Sequence, residues 1–178
     1  MADLIVNVCN KDKLGRWISI TIGRENKLIE LITTHRLVES AEEGATTTHA
    51  QHNDVMGAFN AAKHHRNQFL KDLQTCMRKS YEESKVKDVI IIGDTNINIE
   101  EKNIVQFMNE NRLIDMHKYV NGMENDTIDS VFKCRSKCTD VVIRTHELVE
   151  FASGCQIVEY NEVTLNDHRG CMFDLEIE

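Results

Sequence analysis

At 178 residues, with 41% hydrophobic and 28% charged side chains, the chain is long enough to bury its own core and too apolar for wholesale disorder. Its formal net charge of -8 excludes a global positive field drawing it to DNA or RNA, so any nucleic-acid contact must be local or helped by a bound cation. No apolar run reaches bilayer length and no export signal opens the chain, which predicts an intracellular protein with no membrane association and six reduced cysteines.

The opening MADLIVNVCNKDK has only a short apolar run interrupted by Asn and Cys. RWISITI (16–22) alternates apolar and polar residues, and KLIELIT (27–33) follows after a GREN turn, which predicts a β-hairpin. Residues 39–50 are polar and contain glycine, so they read as a loop. From about His52 to Lys85, Val55, Phe59, Phe69, Leu73 and Met77 recur at helical spacing. Val89 to Ile92 is a continuous apolar strand of the kind buried on both faces. EEKNIVQFMNENRL then sets Ile104, Phe107 and Met108 on one helical stripe, with Asn98 or Glu100 placed to begin the helix. Four short strands are predicted after it, in DTIDSVFKC, TDVVIR, CQIVEYNEV and CMFDLEI. No repeat or linker divides the sequence, so residues 1–178 read as a single domain. The layout is that of an α+β fold with sheets covered by helices, not a repeating βαβ unit. Proline is absent, which leaves turns to Gly, Asn and Asp.

Four short motifs stand at predicted strand ends. GDTN closes the apolar strand with Asp94 and Asn96; TTHR closes the second hairpin strand with His35; CTDVVIR starts a strand at Asp140; and NDHRG carries Asp167 and His168 between two strands. Each has a bland reading, because Asp and Asn cap helices and make turns and a lone His is usually a surface residue. Together they gather two His, three Asp and one Asn at positions where strand ends converge on one mouth. Histidine beside carboxylates has the charge and proton-transfer capacity for phosphate chemistry, and carboxylates bind hard divalent cations. Cys134 and Cys138 flank RSK at a spacing zinc sites use, with no second close pair after them.

The ordered series TTHR, HHRNQFLKDLQ, IIIGDTNIN, NRLIDMH, SKCTDVVI and LNDHRG resembles the endonuclease/exonuclease/phosphatase superfamily, whose members look like DNase I. From Asp94 onward the likeness is strongest to the nuclease domains of retroelements. The resemblance implies a four-layer α/β/β/α sandwich and a magnesium-dependent phosphodiesterase, with manganese as a substitute metal and nucleic acid, DNA ahead of RNA, as substrate. It implies that Asp94 orients and deprotonates the attacking water and that Asn96 positions it. His168 would bind the phosphoryl oxygen, with Asp140 fixing its tautomer. Asp167, together with Asp94, would hold the metal, and His35 would contact the phosphate or protonate the leaving oxygen. Phosphoryl transfer needs positioned charge and a cation, which this set supplies. The basic segment KCRSK just before Asp140 suits a nucleic-acid backbone.

The sequence departs from the family at named places. The family's upstream Asn and metal-binding Glu have no counterpart ahead of His35, Gly170 stands where Pro is common, and Asn166 replaces the usual Ser before Asp-His. The chain looks like the last two thirds of such a domain, lacking its N-terminal strands, and a partner chain or upstream segment would complete the sandwich. Two other readings follow from these departures and from the cysteines: a catalytically weak phosphate- or nucleic-acid-binding module that keeps the pocket, and a zinc-binding interaction domain.

Overall fold

The computed structural model describes residues 5–24, 27–36, 65–83, 88–121, 140–158 and 170–175. Six strands form one mixed sheet in the order β1-β2-β3-β4-β6-β5. They are β1 (Ile5–Lys11), β2 (Trp17–Arg24), β3 (Lys27–His35), β4 (Asp88–Asp94), β5 (Leu113–Asp115) and β6 (Asp140–Thr145). Helix α1 (His65–Glu83) lies in the crossover between β3 and β4, α2 (Lys102–Glu110) follows β4, and a short α3 (Met116–Asn121) follows β5. A 3-10 helix, His146–Phe151, leads into β7 (Ala152–Val158), which pairs with β8 (Gly170–Leu175) in a separate two-stranded sheet.

The hairpin in RWISITI and KLIELIT forms, with Trp17 opposite Thr34 and Arg24 opposite Lys27. β3 and β4 run parallel, which is why a long crossover carrying α1 joins them. Two elements have no clear signature in the sequence. β1 is a broken apolar run that becomes a strand by pairing with β2, and β5 has only three residues, too few for a period to register. Helix α2 begins later than Asn98 or Glu100: its N-cap is Glu101. Ile97 and Ile99 turn inward and are 2% and 5% exposed, so the segment between them and α2 is held as a turn. The first part of the expected long helix, with Val55 and Phe59, the strand in DTIDSVFKC and the Cys134/Cys138 pair lie outside the described residues.

The main core lies between α1, α2 and one face of the sheet. Phe69, Leu70, Leu73 and Met77 from α1 and Ile104 and Phe107 from α2 meet Ile32, Val89, Ile91, Val141 and Ile143. Each fully buried side chain of this size contributes about 1.5–3 kcal/mol. Ile29 and Ile90 point to the opposite face, where Leu148 covers them and Ile22, Leu31 and Ile92 pack alongside. Both faces of β4 are thus covered, as its unbroken apolar run requires. Among the described residues no helix is long and apolar enough to cross a membrane.

Candidate active site

The sheet brings three of the named residues into one row. His35 pairs with Asp94 across the parallel β3–β4 ladder, and Asp94 pairs with Asp140 across the antiparallel β4–β6 ladder. His35 is exposed and Asp94 half-buried. In strand alternation His35 follows Ile29 and Leu31, and Asp94 follows Ile90 and Ile92, the apolar residues of the face turned away from α1 and α2. Asp167 and His168 lie outside the described residues.

Local chemistry sets the end of β4. The Asp94 carboxylate accepts from the Asn96 backbone N–H at 2.8 Å and from the Asn96 side-chain amide at 3.0 Å. The first of these closes an Asx turn, so the bland turn-forming role of GDTN is real. The same two bonds fix the plane of the carboxylate. Asn96 itself has φ 48°, a left-handed conformation that Asn tolerates better than most residues. Its amide also donates to the Arg36 carbonyl at 2.5 Å. Ile97 and Ile99 then plug the loop into the core, with Asn98 half-buried between them and Asn96 half-buried just before them.

Two residues that the sequence left without a role hold this arrangement. Arg36 is 5% exposed, and its guanidinium donates to the carbonyls of Thr95 at 3.0 Å and Asn96 at 3.1 Å. Its backbone N–H donates to the Asp94 carbonyl at 2.8 Å, extending the β3–β4 pairing one residue past His35. Its signal in the sequence was its place directly after His35 in TTHR. Gly93 has φ +138°, and a Cβ there would lie 1.9 Å from the Thr34 carbonyl oxygen. Only glycine lets β3 and β4 approach this closely one residue before the His35–Asp94 pair.

The neighbouring edge is built around Arg16. Its guanidinium donates to Asp12 at 2.6 and 3.0 Å and to Asp72 of α1 at 2.6 Å, and it lies 5.9 Å from the Phe69 ring centroid. These bonds join the β1–β2 turn to α1. Burial alone would raise the Asp12 carboxyl, but the Arg16 guanidinium outweighs it and holds Asp12 below its ordinary range. The Arg16 carbonyl accepts from the His35 N–H at 2.8 Å, which links this turn directly to the row.

Among the described residues no group of three or more His, Cys, Asp or Glu side chains is placed to hold a metal ion. Asp94 brings a hard oxygen ligand to the row, but both of its oxygens accept bonds from Asn96.

No family model matches the chain, and no curated protein sequence matches it. Solved structures do match. The endonuclease domain of TRAS1, a telomere-specific non-LTR retrotransposon, aligns at TM-score 0.61 and 14% identity, over 97% of this chain and 67% of that domain. An AP endonuclease from Archaeoglobus fulgidus aligns at TM-score 0.60 and 13% identity, over 99% of this chain and 71% of the enzyme. The 3′ phosphatase NExo from Neisseria, bound to a product DNA hairpin, aligns at TM-score 0.56 and 11% identity, over 98% and 71%. The chain thus spans about two thirds of the length of these structures. Its fold is the DNase I-like α+β fold that these structures share.

Proposed function

We propose that the chain is a phosphodiester hydrolase acting on nucleic acid, DNA ahead of RNA, with its site at the His35–Asp94–Asp140 row. The register carries this reading: three residues from three separated motifs occupy one line across β3, β4 and β6. Proteins of the same fold are an endonuclease, an AP endonuclease and a phosphatase with bound DNA, which supports the substrate class. Asp94 takes the proton of the attacking water, and its two bonds from Asn96 set the orientation at which it does so. His35, exposed at the rim, contacts the phosphate or protonates the leaving oxygen. His168 binds the phosphoryl oxygen, with Asp140 fixing its tautomer. Magnesium, replaceable by manganese, is the proposed cofactor, with Asp167 and Asp94 as its protein ligands; such a cation offsets the charge of the phosphate. An intracellular setting accompanies this reading.

One observation favours a second reading, a phosphate- or nucleic-acid-binding module with little turnover. The Asp94 carboxylate already serves the Asx turn, with both oxygens accepting from Asn96. The discriminating experiment is nicking of plasmid DNA, with a parallel RNA substrate, by the parent protein and by His168→Ala. The hydrolase reading expects cleavage in magnesium or manganese that EDTA abolishes, and a loss of about a hundredfold or more in His168→Ala. Equal rates in the two proteins would point to a contaminating nuclease and sink the hydrolase reading.

A further inference from the structure

Helix α1 covers a polar strip beside the apolar core. Ser19 and Thr21 of β2, Glu30 of β3, and Cys76 and Ser80 of α1 are each no more than 4% exposed. Strand alternation puts the sheet residues on the face that meets α1: Ser19 pairs with Ile32 of the main core, and Thr21 pairs with Glu30, two residues before Ile32. The Cys76 thiol donates to Glu30 Oε1 at 4.0 Å. The other carboxyl oxygen, Oε2, has no hydrogen bond from the protein, and neither have the Ser19 and Ser80 hydroxyls. Both hydroxyls stand near enough to the carboxyl to ease its burial, yet neither closes a bond to it. The indole Nε1–H of Trp17, two residues before Ser19 and packed against the same core, is another buried group without a protein partner. Trp17 and Cys76 also line a cleft of about 400 Å³ between the β1–β2 turn and α1.

We propose that this strip is an internal water-binding site, in which buried water bridges Glu30 Oε2 to the Ser19 and Ser80 hydroxyls, with the cleft at Trp17 and Cys76 as its opening to solvent. The inference goes beyond the hydrolase reading and does not rest on it. A buried polar atom left unbonded opposes folding, so folded proteins satisfy such atoms with protein groups or with ordered water. Here they gather under one stretch of α1, and one carboxyl oxygen with two hydroxyls gives a water the roughly three partners it usually takes when buried. Polar groups that are close but unbonded are the geometry a bridging water completes. The mixture of groups selects water over a metal ion. The Trp17 indole N–H only donates, and a cation takes only acceptors, whereas water and hydroxyls turn to serve either role.

The test pairs a crystal structure of the parent chain, at a resolution that orders water, with urea unfolding of Ser19→Val. The crystal should show water within about 2.5–3.0 Å of Glu30 Oε2 and of a serine hydroxyl, and a further water on Trp17 Nε1. Direct Glu30–serine hydrogen bonds with no density between them overturn the proposal, as does a density ringed only by oxygens at metal-ligand distances. In solution, valine suits a strand but takes a partner from the water and leaves the Glu30 network incomplete. Ser19→Val should therefore raise the unfolding equilibrium constant about tenfold or more. In a dry strip the same change replaces an unbonded hydroxyl by an apolar group, so an unchanged or lowered constant overturns the proposal. Should Ser19→Val fail to fold, the parent crystal structure decides alone.

Discussion

Replacing Gly93 by alanine tests the strand approach on which the row depends. At φ +138° a side chain is strained whatever the space around it, at a cost of about 1–3 kcal/mol. The new Cβ would also meet the Thr34 carbonyl oxygen at 1.9 Å and its carbonyl carbon at 2.9 Å. These are backbone atoms in a parallel ladder and cannot rotate away, so β3 and β4 must part locally. Each ladder hydrogen bond lost in parting adds about 0.5–1.5 kcal/mol. The expected destabilisation is therefore about 2–5 kcal/mol, a large share of the 5–15 kcal/mol typical of a domain. Gly15 is the internal control: it also has positive φ, +71°, but nothing lies within 4 Å of its Cβ position. Gly15→Ala should cost only the left-handed strain, about 1–2 kcal/mol. Urea unfolding of both variants, with midpoints compared at constant slope, measures the difference. Gly93→Ala should also lose most of any cleavage activity, because the next pair along is His35–Asp94. A Gly93→Ala variant no less stable than Gly15→Ala would refute the close approach of β3 and β4.

Three further outcomes follow from buried charge and from the loop after β4. Glu30 is fully buried against α1, and burial raises its carboxyl above the ordinary 4.5 despite the nearby hydroxyls of Ser80 and Ser19. The folded chain then holds this proton more tightly than the unfolded chain, so stability falls as pH rises from 4.5 through the raised value. Glu30→Gln should remove that fall, being more stable than the parent in thermal melts at pH 8 with the gap closing toward pH 4.5; a gap independent of pH would contradict it. Arg16→Ala strands two carboxylates, one of them on a side chain 9% exposed, and should cost about 3–5 kcal/mol in denaturant unfolding, whereas a loss below about 1 kcal/mol would mean the cluster is solvated. Arg36→Ala removes the guanidinium from the Thr95 and Asn96 carbonyls, at about 1.5–3 kcal/mol for each charged bond, and should speed hydrogen exchange of the Asn96 and Ile97 amides; unchanged exchange there would remove Arg36 from its positioning role.

The residues reveal the fold unevenly, for physical reasons. The β2–β3 hairpin, the apolar strand β4 and the Ile104–Phe107 stripe are local periodicities, legible without any partner. β1 and β5 owe their strand state to pairing with β2 and β6, a tertiary effect that a three-residue or interrupted run does not announce. Helix α2 starts one to three residues later than Asn98 or Glu100 because Ile97 and Ile99 are drawn into the core, which holds Asn98 in a turn. At the site, strand-end positions marked His35, Asp94 and Asp140, but their alignment in one row depends on parallel pairing across a crossover. Arg36 and Gly93 stand inside TTHR and GDTN, but their roles are not legible there: one acts through backbone carbonyls and the other through the lack of a side chain.

The most direct test of the hydrolase reading is the rate of DNA cleavage by Asp94→Asn against the parent at saturating magnesium, with DNA binding measured on the same samples. The amide keeps the shape of the carboxylate and one acceptor for the Asn96 N–H, so the turn and the fold should survive. It removes the base. The account predicts that Asp94→Asn binds the duplex as the parent does and cleaves it at least about a hundredfold more slowly, the scale of losing a positioned base. Parent-level cleavage by Asp94→Asn would contradict it.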